Sequence, residues 1–188
     1  MLYIMRHGKT DWNVLHKLQG RTDIPLNEEG RNMAKKAAKK YRDINFDICY
    51  CSPLKRARET AEILLEGRNI PILFDYRLKE MSFGEYEGTK SSFSTKNKYK
   101  AENSQVNILF EAPEKYIPPK DGESFEDLYN RTGEFLKEAA LPQLKNGKDI
   151  LIIGHGAMNS SIVCQVKNID IKHFWDAGIE NCKLMKLL

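Results

Sequence analysis

The sequence has no apolar run approaching the ~18 residues that a membrane-crossing helix requires; its most apolar stretch, residues 150–153, is closed by Gly154. The first six residues are too short and too quickly polar for the apolar region of a signal peptide, so a cytoplasmic protein is expected. Cysteine is scarce: Cys49, Cys51, Cys164 and Cys182 are the four among 188 residues, and none forms a C-x-x-C pair. That argues against a disulfide scaffold and a thiolate metal or redox site, and assigns the four to packing. An excess of one charge sign is also missing. Lys and Arg number 30 against 26 Asp and Glu, a net of +4 in a chain that is 30% charged, which fits neither an acidic disordered tail nor a nucleic-acid-coating protein. No repeat or low-complexity tract interrupts the chain. What is present is a 41% hydrophobic share over a length that suits one domain with a real core.

Apolar patterning divides this domain into alternating strands and helices. Residues 2–5, 46–51, 70–74 and 149–153 are short apolar runs of the kind that parallel strands buried on both faces produce. Between them, residues 27–41 place Met33, Ala34, Ala37, Ala38 and Tyr41 on one face and lysines on the other, an amphipathic helix with a solvated basic side. Ser52-Pro53 reads as serine N-cap and first-position proline of a second helix, ending near Leu64 or Leu65. Ser124 with Asp127 reads as a capping pair opening a third, whose inner face carries Phe125, Leu128, Tyr129, Thr132, Phe135 and Leu136. A helix over about 157–166, a helical turn over 171–175 and a closing strand over 183–188 complete the pattern. Periodicity fades over residues 89–123, read as an excursion from the core with some helix. The expected architecture is a three-layer α/β/α sandwich with a mostly parallel central sheet.

In an open parallel sheet, ligands gather outside the carboxyl ends of the strands. His7 and His155 each follow a predicted strand there, and each is followed by glycine, which allows close approach of backbone and ligand. Arg6 precedes His7, and Arg56 lies in the first turn of the helix begun by Ser52-Pro53. Guanidinium groups hold phosphate oxygens in bidentate fashion, and a helix N-terminus adds free N–H donors. Taken singly, either histidine reads as a hydrogen-bonded loop residue and Arg56 as a solvated charge near Glu59; together they read as a phosphate pocket. His16 and His173 lack such a context.

At these residues the chain resembles the histidine phosphatase superfamily, the phosphoglycerate mutase-like family. Arg6-His7-Gly8-Lys9-Thr10 with Trp12-Asn13 and Gln19-Gly20 is similar to its signature, and three later blocks follow in order. These are Ser52-Pro53-Leu54-Lys55-Arg56-Ala57 with Thr60, then Leu78-Lys79-Glu80 with Phe83-Gly84 and Glu87-Gly88, then Gly154-His155-Gly156. The resemblance spans about the whole chain, which it implies is a single domain, 1–188, with the 89–123 excursion forming part of the substrate pocket. It implies that His7 is a nucleophile forming a phosphohistidine, its second ring nitrogen donating to a carbonyl of the Gly8 to Thr10 loop. It implies that Arg6, Arg56 and His155 surround the transferring phosphoryl group and that Glu80 is the proton donor, with Glu85 and Glu87 nearby as rivals. Asn13, Gln19 and Gly20 would complete the substrate site, although a loop-capping role suits Asn13 equally well.

The implied reaction is metal-independent hydrolysis of a small phosphorylated metabolite, without cofactor, membrane or nucleic acid. Oligomeric state is not readable. Small bacterial phosphatases of the family, including α-ribazole phosphatases, are the nearest likeness in size. Mutases of this type use extra, generally adjacent, arginines between the acid and the second histidine; here that interval holds Arg131 alone. Lysines 90, 96, 98 and 100 offer substitute charge, so a cofactor-dependent phosphoglycerate mutase stays open, as does a non-catalytic phospho-ligand-binding member of the fold. Tyr86, Phe93, Tyr99, Phe110 and Tyr116 are candidate walls around the leaving group, or else local core beneath the excursion.

Overall fold

The computed structural model describes residues 1–90 and 104–188. In chain order the elements are β1 (Leu2–Arg6), α1 (Asp11–Val14), α2 (Glu28–Lys40), β2 (Ile48–Cys51), α3 (Lys55–Leu64), β3 (Ile72–Phe74), α4 (Ser104–Glu111), α5 (Phe125–Phe135), α6 (Leu141–Lys145), β4 (Ile150–Gly154), α7 (Gly156–Lys167) and β5 (Leu184–Lys186). The strands form one sheet in the order β3-β2-β4-β1-β5, parallel except for β5, which runs antiparallel to β1 at the edge.

Side chains alternate across each central strand, so the sheet has two apolar faces. Leu2, Ile4, Ile48, Tyr50, Ile150 and Ile152 meet Val106 and Leu109 of α4, Phe125, Leu128 and Phe135 of α5, and Ile162 and Val163 of α7. Met5, Cys49, Cys51, Leu151 and Ile153 meet Ala34 and Ala37 of α2 and Ala57, Ala61 and Leu64 of α3. A buried strand has no polar face to display, which is why these strands read as unbroken apolar runs. All four cysteines are buried and unpaired, and burial pushes the Cys49 and Cys182 thiols up to about 12, so they serve as packing groups.

The helix signals act locally as their chemistry dictates. Asn27 caps α2 by accepting from the Gly30 N–H at 2.8 Å. Ser124 and Asp127 form the reciprocal cap of α5, and Phe125, Leu128, Thr132 and Phe135 are its buried face. The expected cap at Ser52 is corrected: α3 begins at Lys55 after Leu54, which makes no side-chain cap bond. Ser52 still belongs to the sheet ladder, its N–H donating to Ile153 O at 3.0 Å, and its hydroxyl lies 2.7 Å from His155 Nε2. Its hydroxyl accepts from the Leu54 N–H at 3.3 Å, ahead of α3, and so stops short of capping the helix itself. Within the excursion, α4 supplies the expected helix, while Phe93, Lys96, Lys98, Tyr99 and Lys100 lie outside the described residues. No helix among the described residues is long and apolar enough to cross a membrane.

Candidate active site

The site follows from strand register. In the parallel β1–β4 pair Arg6 faces Gly154, so the next residue of each chain, His7 and His155, leaves the sheet at the same level. Their ring centroids are 5.1 Å apart and both side chains are buried. The loop after β1 needs glycine: a Cβ on Gly8 would lie 2.6 Å from Gly30 O at the start of α2. Thr60 of α3 fixes this loop by accepting from the Gly8 N–H at 3.0 Å, and Asn181 Nδ2 donates to His7 O at 2.6 Å.

His7 Nδ1 lies 2.6 Å from Gly8 O. A carbonyl only accepts, so Nδ1 carries the proton and Nε2 keeps its lone pair. Burial, then Arg56 and Arg6, push the His7 pKa well below its ordinary value, against the raising effect of the Gly8 carbonyl. His155 is lowered in the same direction by burial first, then by Arg56, His7 and Arg6. Both rings are therefore neutral near pH 7.

Arg56 is fully buried, donating to Thr22 O at 2.9 Å and Gly20 O at 2.6 Å. Burial lowers its pKa to about 10, which still leaves it charged at neutral pH. The reading of Arg56 as a solvated helix charge is thus excluded. Arg6 donates to Ile179 O at 3.3 Å. Three buried side-chain nitrogens in this cluster, Arg6 Nε, Arg56 Nε and His155 Nδ1, have no hydrogen-bond partner among the described residues. Buried donors of this kind ordinarily find an acceptor.

Glu80 accepts three backbone N–H groups: Oε1 takes those of Met81 (2.9 Å) and Met158 (3.0 Å), and Oε2 that of Ala157 (3.3 Å). It thereby faces the first turn of α7. Arg6, His7, Asn13, Gln19, Gly20, Arg56 and Glu80 line one cleft, with His155 beside His7. Asn13 also performs the loop-capping role, since Thr10 N–H donates to Asn13 Oδ1 at 3.0 Å. Gln19 accepts from Thr10 Oγ1 at 3.0 Å, and Gly20 serves through its carbonyl. Neither rival of Glu80 lines the cleft. Glu87 instead ties down the loop that holds Arg56, accepting from Arg21 N–H at 2.9 Å, Thr22 N–H at 2.8 Å and the Thr22 hydroxyl.

Of the described aromatic wall candidates, Phe110 lines the cleft, whereas Tyr116 packs in the core against Phe125. Trp12, Phe83 and Trp175 are further walls that patterning did not single out. Among the described residues no group of three or more His, Cys, Asp or Glu side chains is placed to hold a metal ion.

With this geometry established, comparison with known proteins identifies the class. The family model of the histidine phosphatase superfamily (branch 1) matches residues 2–188, and the chain belongs to that superfamily. It is 35% identical to the uncharacterized phosphatase PhoE of Bacillus subtilis over 89% of this chain and 77% of that protein. It is 33% identical to a 2,3-bisphosphoglycerate-dependent phosphoglycerate mutase of Cytophaga hutchinsonii, over 92% of this chain and 81% of the mutase. Its fold superposes on the α-ribazole phosphatase from Shigella flexneri with a TM-score of 0.80 at 25% identity, covering 97% of this chain and 87% of the other. Phosphatase and mutase relatives thus share the fold confirmed for this chain.

The two neutral histidines impose a pH dependence on stability. Unfolded histidine titrates near pH 6.5, and both folded values lie below that. The unfolded state therefore binds more protons as pH falls through this window, and folding stability declines from about pH 6.5 downward, by up to about 1.4 kcal/mol per pH unit for each ring. Urea unfolding at about pH 7 and about pH 5.5 should show this loss. Equal stability at the two values would contradict the buried, neutral pair.

Proposed function

We propose that the protein is a phosphatase that hydrolyses a small phosphomonoester through a phosphohistidine on His7. What carries the reading is the set of three partnerless buried nitrogens, on Arg6, Arg56 and His155, grouped about a neutral His7. A phosphoryl group brings the acceptors these donors lack, and preorganised positive donors are the principal catalysts of its transfer. The Nε2 lone pair of His7 attacks phosphorus, and the bond to the leaving oxygen breaks as Glu80 supplies a proton to it. Water then attacks the phosphohistidine, losing its proton to Glu80 and releasing inorganic phosphate.

Residues 1–188 are read as one catalytic domain whose 89–123 segment contributes to the substrate pocket, as Phe110 does. Four free, buried cysteines accord with a cytoplasmic location. The mutase reading has the relative from Cytophaga hutchinsonii in its favour. Against it, Arg131 is committed elsewhere, its Nε and Nη2 donating to Glu123 at 2.5 and 2.9 Å and its Nη1 to Arg77 O.

p-Nitrophenyl phosphate should be turned over equally with and without EDTA, and an acid-labile phosphoenzyme should be trapped. Activity abolished by chelator and restored by added metal would overturn the mechanism. Incubation of 3-phosphoglycerate with catalytic 2,3-bisphosphoglycerate should release phosphate faster than it interconverts monophosphates; the reverse ranking would establish the mutase.

A further inference from the structure

A neutral imidazole must place its one ring proton on Nδ1 or Nε2, and the surroundings of His155 select between them. His155 Nε2 lies 2.7 Å from Ser52 Oγ, and both side chains are fully buried. Ser52 Oγ already accepts from the Leu54 N–H at 3.3 Å. Its own proton has a single acceptor within hydrogen-bond distance among the described residues, His155 Nε2. If the ring donated instead, the Ser52 proton would be stranded in the interior. His155 Nδ1 would then be an unprotonated acceptor facing a cluster prepared for an anion, a mismatch on both sides of the ring.

We propose that Ser52 is a positioning residue that donates to His155 Nε2 and so locks His155 as the Nδ1–H tautomer. The partnerless Nδ1 is then a donor ready for a phosphoryl oxygen. Ser52 reaches this place because β2 and β4 run parallel, with Cys51 facing Ile153, so the residue after β2 lies level with the end of β4. Its hydroxyl thus bridges the Leu54 N–H just ahead of α3 and the His155 ring. Among tautomers of a neutral histidine the Nδ1–H form needs such an external acceptor–donor arrangement to dominate, and a ring so oriented donates without reorganising when charge develops on the phosphoryl oxygens.

The benefit to phosphoryl transfer rests on the phosphatase reading, whereas the tautomer is a property of the free protein and is tested without turnover. In the full chain labelled with 15N-histidine, long-range 1H–15N correlation should show the His155 ring protonated at Nδ1 and bare at Nε2. Addition of inorganic phosphate should move the Nδ1–H proton downfield. Ser52→Ala should return the ring to the Nε2–H form and lower kcat roughly tenfold or more with a smaller change in KM, since the donor acts most strongly in the transition state. Ser52→Thr, which keeps the hydroxyl, should restore the Nδ1–H form. A wild-type ring protonated at Nε2 would overturn the proposal whether or not either variant folds, as would a Ser52→Ala protein with unchanged tautomer and kcat.

Discussion

His7→Ala should lose turnover of p-nitrophenyl phosphate by at least about 10³-fold while retaining its fold and its affinity for inorganic phosphate. The variant removes the nitrogen that bonds to phosphorus, and no neighbouring group replaces it: His155 Nε2 is engaged by Ser52, and Glu80 is spread over three backbone N–H groups. Phosphate binding should persist because Arg6, Arg56 and His155 are untouched. The backbone around position 7 is held independently of the ring, by the donation of Asn181 Nδ2 to its carbonyl and of its own N–H to Gly154 O at 3.0 Å. Stability below about pH 6.5 should rise relative to wild type, since one buried ring that resists protonation is gone. Steady-state kinetics, phosphate titration and urea unfolding separate these effects. A fully active His7→Ala protein would remove the nucleophile from the mechanism, and loss of phosphate binding together with folding would show that the ring is structural.

The prominence of His7 and His155 in the sequence has a physical basis. Both stand at the ends of strands buried on two faces, where an unbroken apolar run stops at a polar residue and a glycine. The sheet class, the helix faces of α2 and α5 and the convergence of Arg6 and Arg56 follow from the same local signals. Features that depend on long-range pairing were not legible. Ser52 carries a strong local cap signal, and only the β2–β4 register diverts its hydroxyl to His155, 103 residues away. Glu87 reads as a motif acid and a rival of Glu80, yet it anchors the Gly20 to Thr22 turn from 65 residues away, and a Cβ at Gly20 would collide with its carboxylate at 2.0 Å. Trp12 and Trp175 line one cleft although they lie near opposite ends of the chain, a juxtaposition that only the long-range fold produces.

Arg56→Ala should cut kcat/KM by about 10²- to 10³-fold and destabilise the fold by about 2–4 kcal/mol. Arg56 is the largest of the fully buried side chains, so truncation leaves a cavity in the layer between α3 and the cleft. It also strands the Gly20 and Thr22 carbonyls, whose turn is otherwise fixed from the opposite side by Glu87. The catalytic loss has a separate origin: the guanidinium places a full charge where water is excluded, and its Nε still awaits an acceptor. Arg56→Lys discriminates the two. An ammonium keeps the charge and can reach one of the two carbonyls but cannot span both and offer a further donor from the same plane. The lysine variant should therefore recover most of the stability and little of the activity. Thermal unfolding and steady-state kinetics on both variants supply the check. Wild-type kcat/KM in the lysine variant would show that Arg56 contributes charge alone, and wild-type kcat/KM in Arg56→Ala would remove it from the phosphoryl site.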